Sequence, residues 1–235
     1  MLTLLDTQPE STGRIRLLKR PIEHEFTIQK SRFITLIAPV TAVEDADELI
    51  RERRAAHPNA RHTCTALALG TPLSLQRSND DGEPGGTAGL PMAQALRGRD
   101  ITDAVAIVTR YFGGVKLGAG GLTRAYGSSV TEALDAASAQ GLILERIVHE
   151  VTCASVGYDI AGQVEAQVRS WAEGPSAPEQ TAVLEADYGA DGLEIMIGHL
   201  PTAREDVARA IAEISAGRAG VTTAGWAHVD IPAAD

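Results

Sequence analysis

Apolar and polar positions along this chain of 235 residues alternate in two distinct rhythms, and the changes between them mark its elements. Residues 22–29 and 32–39 read as two strands joined near Lys30-Ser31. In TAVEDADELIRERRAAHP, Val43, Ala46, Leu49 and Ile50 recur on one helical face, and Pro58 closes the helix. RHTCTALALG and LSLQRS read as paired strands around Gly70-Thr71-Pro72, and the breaker-rich loop NDDGEPGGTAG follows. A short helix is expected from about 88 to 97, with Pro91 tolerated because it falls in the first turn. DAVAIVTRYF is an almost unbroken apolar run, the pattern of a central strand. A glycine-rich loop leads from it into a long helix, GLTRAYGSSVTEALDAASAQ.

From residue 149 the order changes. HEVTCASVGYD reads as a strand, and Ile160, Val164, Val168 and Trp171 then follow at helical spacing. QTAVLEADYG and GLEIMIGHL form a hairpin through GADG. Thr202 and Glu205 have the spacing of a capping box for the next helix, and GVTTAGWAHVDI is a last strand. The series is β-α-β-β-α-β, the split βαβ or ferredoxin-like arrangement. The expected architecture is therefore α+β in two domains: a loosely ordered segment over 1–13, a first domain over 14–146 and a ferredoxin-like domain over 147–235.

Charge supports that boundary. Residues 1–148 hold 17 Lys and Arg against 17 Asp and Glu, whereas residues 149–235 hold 4 against 14. All of the net charge of −10 thus lies in the last third, and an anionic ligand is expected on the first domain. No run approaches the roughly 20 apolar residues of a membrane span, and the N-terminus lacks the pattern of a signal peptide. Two cysteines do not make a disulfide framework. A cytoplasmic protein without a membrane partner is expected.

Two loops carry candidate chemistry. TRYFGGVKLGAGGLTRAYG has Arg110, Lys116 and Arg124, the aromatics Tyr111, Phe112 and Tyr126, and no acid. A strand, a glycine loop and a helix can aim backbone N–H groups at an anion, with Gly118, Gly120 and Gly121 permitting close approach. The segment lacks the Gly-Lys-Ser/Thr of a nucleotide-hydrolysing loop and the spacing of a dinucleotide fingerprint. The same glycines equally suit positive φ angles and tight helix–strand packing. In the second loop Asp80, Asp81 and Glu83, with Thr87 beyond them, form an acidic wall that either holds Mg²⁺, supplies a general base or simply turns the chain. Both loops follow strands and precede helices, so they are expected to meet at one end of a sheet. His57, His62 and Cys64 lack the second cluster that a structural zinc needs. No cofactor is assigned.

HPNARHTCTALALG, RSNDDGEPGGTAGLP and TRYFGGVKLGAGGLTRAYG, in that order and preceded by SRF at Ser31–Phe33, resemble the signature of the YigZ/IMPACT family over about residues 15–130. The resemblance implies a first domain like the second domain of a small-subunit ribosomal protein. It implies a C-terminal domain like the fifth domain of elongation factor G. Eukaryotic members are translational regulators that bind the activator of an amino-acid-starvation kinase through an additional domain, so that partner is not carried over. Leu67 stands where many members have an aromatic. The leading expectation is a non-catalytic regulator that binds RNA, the ribosome or a translation-associated protein, with Arg110, Lys116 and Arg124 on phosphates and Tyr111 or Tyr126 stacking on bases. The competing expectation is an enzyme acting on a small phosphorylated or nucleotide substrate, with the acidic wall opposite the basic loop.

Overall fold

The computed structural model describes residues 2–9, 14–70 and 73–233. They fall into two compact units, one of residues 14–146 with 232–233 and one of residues 147–231 with 2–9. The first is the N-terminal unit and the second the C-terminal unit.

The N-terminal unit holds β1 (Arg16–Leu18), β2 (Ile22–Ile28), β3 (Ser31–Pro39), α1 (Val43–Ala56), β4 (His62–Leu69), β5 (Leu75–Asn79), α2 (Gly89–Arg97), β6 (Ala104–Tyr111) and α3 (Gly118–Ala139). β2 to β6 make an antiparallel sheet in the order β2-β3-β6-β4-β5, so the apolar run of β6 is central. Side chains alternate across that sheet. Cys64, Ala66 and Ala68 of β4 and Ala104, Ala106 and Val108 of β6 face a core closed by Met92 and Leu96 of α2 and Leu122, Tyr126 and Val130 of α3. Leu67, Leu69, Val105 and Ile107 face the opposite way, into a smaller core with Ala46 of α1. The alanines of the first face let α2 and α3 lie close to the sheet.

β2 and β3 are joined at Gln29 and Lys30, whose φ angles of 45° and 63° give the mirror-image turn that suits the twist of a tight hairpin. Thr71 and Pro72, at the expected turn between β4 and β5, lie outside the described residues. β1 was not expected; it pairs with residues Ile143–Glu145 at the start of β7 (Ile143–Val156).

The C-terminal unit continues from β7 with α4 (Ala161–Ala172), β8 (Ala182–Gly189), β9 (Gly192–His199), α5 (Arg204–Ile214) and β10 (Gly220–Pro232). Its strands lie in the order β10-β7-β9-β8, and its core is built from Val164, Val168, Leu193, Ile195, Ile197, Val207 and Ile211, with Trp171 packed against it. Thr202 does not cap α5 as its spacing suggested. Pro201–Ala203 forms a 3₁₀ turn, the helix begins at Arg204, and no side chain among the described residues caps it. Nor is the start of the chain wholly loose: Leu5 exchanges two backbone hydrogen bonds with Trp226, at 2.8 and 2.9 Å, while residues 10–13 lie outside the described ones. His149 is fully buried and neither ring nitrogen has a hydrogen-bond partner among the described residues. Burial first, and neighbouring His199 second, hold its pKa down to about 4.

Candidate functional site

β5 and β6 both run antiparallel to β4, so they are parallel to each other, and the loops leaving their C-terminal ends emerge at the same end of the sheet. Strand register then sets a row of side chains there. Phe33 of β3 and His62 of β4 both sit opposite Arg110 of β6, on the face covered by α2 and α3. Arg110 is 4% exposed, and its charge is met by Glu83, whose Oε1 accepts from Arg110 Nη1 at 2.6 Å. The same oxygen accepts from the Tyr126 hydroxyl at 2.8 Å, and Arg110 Nη2 donates to Ser31 Oγ at 3.3 Å. Burial first, then the neighbouring Cys64 and Glu83, push the Tyr126 phenol far above its ordinary range, so it stays a neutral donor. The guanidinium lies between two rings, 5.4 Å from the centroid of Phe33 and 5.7 Å from that of Phe112. Its Nε–H has no partner among the described residues.

The acids of the second loop are absorbed by the backbone around them. Asp80 accepts from the N–H groups of Gly86, Ala88 and Gly89, and so closes the start of α2, where no adjacent side chain does. Partial burial opposes its ionisation, but these three donors outweigh that and hold its carboxyl below the usual range. Asp81 accepts from Thr63 N at 2.6 Å and from Arg54 at 2.8 Å. Thr87 donates to the carbonyl of Pro84. Cys64, beneath this loop, donates to the Asp80 carbonyl, and burial pushes its thiol up to about 12, which removes it as a nucleophile.

The glycine loop opposite rests on the β2–β3 hairpin. A Cβ on Gly113 would stand 2.0 Å from the carbonyl of Lys30, so only glycine lets the two backbones meet. Gly113 N donates to Ser31 Oγ, which ties the SRF segment to the loop. Gly118 then turns into α3 with a φ of +70°. Among the described residues no side chain caps this helix of 22 residues, and no acid lies in its first turn. Its start at Gly118-Ala119, with exposed Lys116, faces Arg61, His62 and Pro84 across a cavity of about 310 Å³. Leu117 and Leu122 supply apolar wall, and Phe112, 40% exposed, offers a ring face with Arg61 at 6.0 Å.

The structure thus brings Arg110, Lys116, Gly118 and Glu83 to one cavity. Two of the aromatics expected to stack are elsewhere. Tyr126 is fully buried, on the core side of α3 with Leu122 and Val130, and no base can reach it. Tyr111 lies one residue out of phase with Arg110, faces the other side of the sheet and binds His57 Nδ1 through its hydroxyl at 2.9 Å. Arg124 is exposed on α3 but does not line the cavity, and neither do Gly120 and Gly121. The acidic wall does not converge on a metal position: among the described residues no three His, Cys, Asp or Glu side chains are grouped to hold one. Arg61 was not foreseen, and Phe112 takes the place expected of the two tyrosines. The signal available for Arg61 was its position beside His62 at the start of a strand paired with β6.

Several known proteins are similar to this chain in sequence or fold. Residues 29–134 match the Impact N-terminal domain family. The IMPACT family member YvyE of Bacillus subtilis is 45% identical over 152 residues, which are 65% of this chain and 68% of that protein. The IMPACT family member YigZ of Escherichia coli is 49% identical over 109 residues, 46% of this chain and 53% of that protein. A crystal structure of a hypothetical protein superposes with a TM-score of 0.54 at 30% identity, covering 89% of this chain and 97% of that one.

Proposed function

The chain belongs to the IMPACT family, and from that premise we propose that it is a non-catalytic, translation-linked regulatory protein whose N-terminal unit binds single-stranded RNA. One observation carries this reading. The uncapped start of α3, Lys116, Arg61 and the 40% exposed ring of Phe112 border the same cavity, so phosphate donors and an aromatic ring on which a base could stack stand side by side. The N-terminal unit would correspond to the ribosomal-protein domain that the family resemblance implies. The strand order β10-β7-β9-β8 supports a ferredoxin-like reading of the C-terminal unit, comparable to the fifth domain of elongation factor G. A cytoplasmic setting accords with this role, and no helix among the described residues is long and apolar enough to cross a membrane.

The test is a salt-titrated binding measurement with labelled single-stranded RNA. Lys116→Glu is expected to weaken binding and to flatten the slope of log K against log salt by about 0.7 for each phosphate it ceases to neutralise. Arg124→Glu, outside the cavity, is expected to do neither. Absence of RNA affinity at low salt, or an unchanged slope in Lys116→Glu, defeats the reading. A second reading, a small phosphorylated or nucleotide ligand, is favoured by the cavity of about 310 Å³ with Arg61, Arg110 and Lys116 on its lining. It gains ground if mononucleotides raise the melting temperature while RNA does not bind.

A further inference from the structure

On the N-terminal unit, away from the loop pair, α1 borders a groove of about 510 Å³ that the reading above leaves unused. Its floor is apolar: Leu17 and Leu18 of β1, Val40 after β3 and Leu49 of α1. Its rim is acidic. Glu48 and Glu52 stand one turn apart on α1, exposed, and neither has a hydrogen-bond or ion-pair partner among the described residues. Asp45, at the N-terminal end of the same face, is engaged by the N–H groups of Thr41 and Ala42. Asp103 receives Gly70 N and lies 3.8 Å from Arg146, the one basic residue on the lining among the described residues.

We propose that this groove docks a basic, amphipathic segment of a partner polypeptide. Charge selects that occupant. Glu48 and Glu52 repel RNA, and a second copy of this chain brings a net charge of −10. A metal ion has no use for a floor of leucine and valine. A peptide helix with apolar residues on one face and Lys or Arg beside them satisfies both floor and rim. The two carboxylates, one turn apart, match cations at the same spacing.

The experiment uses the full chain and a fluorescent synthetic amphipathic helix of Lys and Leu, followed by anisotropy. Binding is expected to fall by about tenfold or more in Glu48→Lys/Glu52→Lys and to a lesser degree in Glu48→Gln/Glu52→Gln, both at exposed positions. Circular dichroism confirms that each variant is folded. Leu49→Asp is expected to abolish binding, and Glu205→Lys/Glu213→Lys, on α5 of the acidic unit, to leave it unchanged. RNA affinity is not expected to fall in the groove variants, which separates this site from the loop cavity. The proposal is overturned if the α5 variant loses as much as the groove variant, or if a peptide with Ser in place of Leu binds equally well. It is also overturned if sedimentation finds a dimer that Glu48→Lys dissolves, since the occupant is then a second copy.

Discussion

At the scale of single residues, the site is governed by a charge that is not free. Arg110 lies near the end of the central strand, yet its guanidinium is bonded to Glu83 and Ser31 and lies over the rings of Phe33 and Phe112. Its worth to a ligand is as a fixed partial field, with Arg61 and Lys116 supplying mobile charges. A buried pair of this kind is costly to halve. Arg110→Met leaves Glu83 buried without its counter-ion and is expected to destabilise the N-terminal unit by about 3–5 kcal/mol in urea unfolding. Arg110→Met/Glu83→Met/Tyr126→Phe, which removes the whole cluster, is expected to cost less than the single change. A triple variant that loses as much as Arg110→Met, or more, contradicts this account.

At the scale of elements, the glycine loop divides into positions that need glycine for different reasons. Gly113→Ala forces two backbones apart and is expected to cost about 1–3 kcal/mol or more. Gly120→Ala meets nothing within 4 Å inside a helix and is expected to be neutral or to stabilise by about 0.5–1 kcal/mol. Thermal melts of the two variants check the pair, and equal shifts refute the distinction. Much of this architecture was legible because periodicity is a physical consequence of burial. The face Val43, Ala46, Leu49 and Ile50 marked α1, and the unbroken run of β6 marked a strand covered on both sides. The burial of Tyr126 was legible by the same rule, since it shares its spacing with Leu122 and Val130. β1 was not, because three residues give alternation too little length to register. The cap of α5 was misread because Pro201 starts a tighter turn ahead of the helix. The meeting of the two loops followed from their places after strands. The pairing of Arg61 with Phe112 depends on tertiary geometry that no local pattern encodes.

At the scale of the whole chain, the two cores of the N-terminal unit share no residue with the core of the C-terminal unit, and the two units differ in charge. They are expected to respond differently to acid. His149 takes up a proton near pH 6.5 when unfolded but only near pH 4 when folded. The unfolded state therefore binds more protons between those values, and stability present above pH 6.5 is lost as pH falls toward 4, by on the order of 3 kcal/mol. His149→Leu is expected to flatten that dependence in melts at pH 4–7, and an unchanged profile refutes it. Above about pH 5 the window lies clear of the usual range of Asp and Glu, so the loss between roughly pH 6.5 and 5 is the part that belongs to His149. The placement of the two tryptophans determines how such an experiment must be observed. Trp171 and Trp226 both belong to the C-terminal unit, and the N-terminal unit has none. Intrinsic tryptophan emission thus watches one unit alone, whereas far-ultraviolet dichroism records both. Emission will follow the acid transition of His149 directly. Titrating a ligand into the loop cavity calls for a dye, a label or a tryptophan introduced at Phe112.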